Sequence, residues 1–181
     1  MTDFVLPLKQ GIVLFWAVWL SVTFFANTFD GLKALKVMGE GWRFVSGNYA
    51  AMVETTRKYP LPAWFTGLLF LGVMLWQGLS ALLFWYAFSA FHGMHFPGLR
   101  ALDMAFLVSL ALWAAFMIAD EIFTVYEAEA THMRIFIAQL PQSLSLSQTS
   151  SRGTELAIEQ CVAEGTAAPQ YRFPTGGSRF T

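Results

Sequence analysis

Three long stretches almost free of charge decide what this chain can become. Leu8 to Phe29 carries only Lys9, at its start, and Ala63 to Phe91 carries no charge. Ala101 to Tyr126 carries Asp103 near its start and Asp120 and Glu121 near its end. A run of roughly 18 or more predominantly apolar residues reads as a transmembrane helix. In lipid the backbone has no water to bond, so only helices and closed barrels can cross. None of the three runs alternates apolar and polar residues as barrel strands do. Helices are therefore expected.

Composition points the same way. The chain is 56% hydrophobic and 13% charged, whereas about a quarter of a soluble domain is charged. A net charge of −1 excludes a strongly basic nucleic-acid binder. The single cysteine, Cys161, has no partner for an internal disulfide and lies outside the apolar runs. No basic segment precedes the first run and no small-x-small site follows it, so this run is expected to be retained rather than cleaved.

The expected fold class is all-α, a polytopic membrane helical bundle. It has three full transmembrane helices, at about residues 8–29, 63–91 and 101–126, plus a short fourth that is interfacial or incomplete. The bundle is expected over residues 1–140, with a short apolar segment at 133–140. Residues 141–181, rich in Ser, Thr, Gly and Gln, read as a polar, flexible tail. Between the first two spans, Asn48 to Lys58 reads as a short surface helix with Asn48 as its N-cap. Pro60 and Pro62 then introduce the second span, because proline suits a first helical turn. No Gly or Pro falls between Arg100 and Leu140. One helix of about 60 Å or two helices bent near Glu127 to Thr131 would both fit.

The first connection carries Lys33, Lys36, Arg43, Arg57 and Lys58, while the turn around His92 and His95 carries only Arg100. The positive-inside rule places that connection in the cytoplasm.

Four short motifs carry a family likeness. Asn27 and Asp30 close the first span. Gln77 lies within Leu75-Trp76-Gln77-Gly78-Leu79-Ser80-Ala81-Leu82. Glu121-Ile122-Phe123 ends the third span, and Arg134-Ile135-Phe136 follows. Over roughly Leu8 to Leu140 the chain resembles an uncharacterised bacterial family of predicted small integral membrane proteins, a domain of unknown function normally of four spans. The resemblance implies a topology and no chemistry. The chain departs from the family pattern after Leu140, where the fourth span turns polar, and at Gln77, where a carboxylate is expected.

Candidate site residues gather at one level. Asn27, Asp30, Asp120, Glu121, Glu127, Glu129, His132 and Arg134 form a candidate polar or ion-pair layer. Charges at membrane depth are costly and mark function when they lie well inside. At the end of a span they pair with nearby cations, here those of the first connection, with Asp30 facing Arg134 or Lys33. Glu129 and His132 stand three apart on one helical face, the spacing used in di-iron helices. A second such motif is absent from the sequence, so they are weak metal candidates and no cofactor is expected. His92 and His95 lie at the opposite membrane face from His132, which argues against bis-histidine haem. Gln77 and Ser80 are mid-membrane polar residues expected to bond to a neighbouring helix. Ala111, Ala115 and Ala119, four apart, form a small-residue stripe for close helix packing, inside this bundle or, alternatively, against another subunit. The sequence contains no Gly-x-Ser-x-Gly, no Gly-x-x-x-x-Gly-Lys and no His-Glu-x-x-His.

These features favour a non-catalytic accessory or stabilising subunit in a bacterial cytoplasmic membrane. Its partners would be the lipid bilayer and other membrane subunits or copies of itself, with no nucleic acid. Eighteen Phe and seven Trp exceed what three helices bury among themselves. The alternative is a small oligomeric transporter or channel component, its path marked by Gln77, Asp103, Asp120 and Glu121. A metal or redox enzyme using Glu129 and His132 ranks third.

Overall fold

The structure is a computed structural model that describes residues 5–39, 41–92 and 97–163. Five helices occupy them: α1 (Val5–Ala34), α2 (Asn48–Thr56), α3 (Ala63–His92), α4 (Pro97–Phe123) and α5 (Tyr126–Ala163). The described residues contain no strand. The protein is a small membrane-embedded helical bundle: α1, α3 and α4 are each long and apolar enough to cross a bilayer. Residues 93–96, which include His95, and residues 164–181 of the expected tail lie outside the described residues.

The long helices pack in chain order, α1 on α3, α3 on α4 and α4 on α5. Matched contacts show successive helices running antiparallel. Gly31 meets Phe70 and Gly78 meets Phe24, while Trp85 Nε1 donates to Ser21 Oγ at 3.0 Å. Gly78 lets α1 and α3 approach, because a Cβ there would stand 3.0 Å from the Phe24 ring. The α3–α4 contact is centred on Phe84 and Phe106, edge to face at 5.0 Å.

On α4 the packed face is Ala101, Ala105, Ser109 and Trp113, all buried. This face supplies the small residues at the contacts within the protein, and the Ala111, Ala115 and Ala119 stripe lies apart from it. Ala111 is exposed, and Ala115 and Ala119 are half-buried. Both sets have the same four-residue spacing, so spacing alone does not distinguish them.

The chain reverses at Thr124, whose φ of 55° is left-handed, a conformation unfavourable for a β-branched residue. The reversal lies just before the bend expected near Glu127 to Thr131. From there α5 runs as one 38-residue helix with Pro141 inside it. The boundary drawn at 140/141 from the change in composition falls within this helix. Residues 126–146 carry polar and apolar side chains on both sides. Met133, Ile137, Leu140 and Leu144 point outward beside the exposed Arg134, while His132, Gln139 and Gln142 point into the bundle beside Ile135, Phe136 and Leu146. Gln142 accepts from Trp16 Nε1 at 2.6 Å, which ties α5 back to α1 and closes the bundle.

Candidate functional site

The polar residues of the spans meet in two clusters at one end of the bundle and in a seam leading inward. The first cluster joins α1, α2 and α3. Asn27 Nδ2 donates to Gln77 Oε1 at 2.6 Å, and Asn48 Nδ2 donates to Asn27 Oδ1 at 2.8 Å. Asn27 and Gln77 are both buried. Each carboxamide thus satisfies the next where no solvent can, which is the condition for tolerating such groups inside.

Asn48 is the first residue of α2, not its cap; that place falls to Gly47, with φ at 77°. Glycine suits the left-handed backbone but has no side chain to cap with. Asp30 supplies the cap from α1. Its Oδ2 accepts from the Tyr49 N–H at 2.8 Å and from Ser46 Oγ at 3.0 Å. A carboxylate at a helix N-terminus also complements the helix dipole. Thr56 and Thr66, both buried, bond at 2.6 Å and fix the other end of α2 to α3. The chain before α2 folds over α1, where Phe29 meets Trp42 and Phe44 edge to face.

The second cluster joins α4 and α5. His132 Nδ1 and Asp120 Oδ2 are 2.6 Å apart. The His132 ring stacks on Phe116, with centroids 4.5 Å apart and planes 14° apart, and lies 5.8 Å from the Trp113 ring. His132 is thereby oriented by Asp120 rather than free to act with Glu129. Glu129 is half-buried, while Glu121, Glu127 and Arg134 are exposed. Among the described residues no three His, Cys, Asp or Glu side chains gather as a metal-holding group. The arrangement places an imidazole and a carboxylate in hydrogen-bond contact, with aromatic rings along one side of the imidazole.

Deeper along the same seam, Ser109 Oγ donates to Gln139 Oε1 at 3.0 Å, and both residues are fully buried. Ser80, by contrast, turns back to its own helix and donates to the Trp76 carbonyl at 2.9 Å. That is the usual local outlet for a helical serine. Asp103 is exposed on α4, on the other side of the helix from the inward Ser109. A shallow apolar slot of about 400 Å³ lies far from both clusters, lined by Pro7, Leu8, Gly11, Ile12, Phe15 and Gln142.

Sequence reasoning singled out Asn27, Asp30, Gln77, Asp120 and His132 but not which of them pair. Ser46, Tyr49, Thr56, Thr66, Ser109, Gln139 and Gln142 were missed. Their only signal is a polar side chain in or beside an apolar run, and pairing needs the helix register. The chain matches no protein family, no curated protein and no solved structure.

Proposed function

We propose that this chain is a non-catalytic accessory or stabilising subunit of a bacterial cytoplasmic membrane, packing against other membrane proteins or further copies of itself. One observation carries the reading: polar side chains inside the spans bond from one helix to the next. Asn48, Asn27 and Gln77 form one chain of bonds, Asp120 holds His132, and Gln139 and Gln142 accept from α4 and α1. Such contacts hold helices together in lipid. The flanks are left apolar. Only 28%, 28% and 39% of the apolar windows of α1, α3 and α4 are buried within the protein. Phe15, Phe25, Trp64 and Tyr86 are among the large side chains turned outward. The bacterial assignment rests on the family likeness of the sequence motifs alone, and the five cations of the first connection favour a cytoplasmic position for that end.

The topology that accompanies this reading has four crossings. Residues 126–146 span about 31 Å, a full hydrocarbon thickness. They run beside α4 with Met133, Ile137, Leu140 and Leu144 turned outward alongside the exposed Glu127 and Arg134. Both termini then lie on the face opposite the first connection.

The test is purification of the tagged full chain from native membranes in mild detergent, with cross-linking in the intact membrane beforehand. A reproducible, stoichiometric partner or a defined oligomer is expected. A strictly monomeric protein in both settings overturns the reading.

A further inference from the structure

We propose that the seam between α4 and α5 is a binding site for internal water at mid-membrane depth, built by Trp113, Gln139 and Ser109. Trp113 Nε1 and Gln139 Nε2 are both buried, and neither donates to any group of the described protein. A buried N–H donor without an acceptor costs about 1–3 kcal/mol. Two such donors in one seam are a recurring cost that a native helix pair avoids by sharing an acceptor.

The acceptor they need is small and neutral. Gln139 and Ser109 are 0% exposed and Trp113 is 3% exposed, so neither lipid carbonyls nor the shallow slot on α1 reach them. All unpaired nitrogens here are donors, which selects an oxygen. Ser109 stands one helical turn from Trp113 on α4, and its hydroxyl already gives its proton to Gln139 Oε1 at 3.0 Å. That hydroxyl keeps its lone pairs. A water accepting from the indole and the carboxamide and donating to Ser109 makes three hydrogen bonds, the usual number for a buried water.

The surroundings give this site a direction. Toward one end the seam continues to His132, 5.8 Å from the Trp113 ring, and through it to Asp120. Toward the other it reaches Gln142 and Trp16. Ser109 and Trp113 straddle the middle of the Arg100–Phe123 span. The proposed water thus sits between the His132–Asp120 pair and the Gln142–Trp16 contact.

The experiment uses the full chain, labelled with 15N-tryptophan and reconstituted in phospholipid nanodiscs. The seven indole N–H resonances are recorded, and a Trp113→Phe variant identifies that of Trp113. A cross-peak between this N–H and a long-lived water is expected. A cross-peak to lipid protons instead, or to neither, overturns the proposal.

Discussion

The carboxamides of Asn27 and Gln77, 50 positions apart, meet at 2.6 Å between α1 and α3. Asn27 is the middle of three, since its Oδ1 also accepts from Asn48. Interhelical hydrogen bonds in membranes average about 0.6 kcal/mol and reach about 1.7 kcal/mol. Gln77→Leu removes one bond and is expected to cost about 1 kcal/mol, while Asn27→Leu removes two and costs about 2 kcal/mol. The double variant loses less than the sum, because both single changes delete the same bond. Unfolding in mixed micelles measures all three, and a larger loss for Gln77→Leu contradicts the order of the chain.

Asp30 caps a helix that is not its own. Asp30→Ala is expected to destabilise the docking of α2 by about 1–2 kcal/mol, the usual loss on removing an N-cap oxygen. Asp30→Asn keeps an acceptor and loses less. Hydrogen exchange localises the effect: protection falls first in Asn48–Thr56, with α3 and α4 unchanged. Uniform loss across the bundle would contradict a local capping role.

Two glycines of α3 separate packing from propensity. At Gly78 an added Cβ stands 3.0 and 3.2 Å from two atoms of the Phe24 ring, while at Gly72 nothing lies within 4 Å. Gly78→Ala is expected to force α1 and α3 apart and cost about 1–3 kcal/mol. Gly72→Ala meets no obstacle and gains up to about 1 kcal/mol of helix propensity. Equal effects at the two positions would mean that Phe24 moves freely.

The four-crossing topology has a convenient reporter in the lone Cys161 at the far end of α5. In intact cells and in inverted vesicles, a membrane-impermeant maleimide is expected to label Cys161 from the face opposite Lys58→Cys. The latter is made in a Cys161→Ser background. Labelling from the same face rules out a fourth crossing.

Hydropathy made α1, α3 and α4 legible because their apolar runs are long and nearly free of charge. The short helix at Asn48 was also visible between its glycines and prolines. Its cap was not, since sequence offers the local Asn48 and gives no sign that Asp30 reaches across from another helix. His132 was noticed beside Glu129, three residues away on its own helix. Its contact with Asp120 depends on the reversal at Thr124, which lacks the glycine that usually marks a left-handed turn. For α5, polar and apolar side chains share both sides of the helix, so mean hydropathy along the chain does not mark it out.

The polar residues that α5 turns inward have a consequence for biogenesis. A segment bearing His132, Gln139 and Gln142 on one side has no comfortable place in lipid while it is alone. Its polar partners, Asp120, Ser109 and Trp16, are on helices synthesised earlier. Helix α5 therefore enters the bilayer as a guest of the first and third spans, which precede it in the chain. Assembly has an order in time: α5 settles only after α4 stands beside the earlier spans.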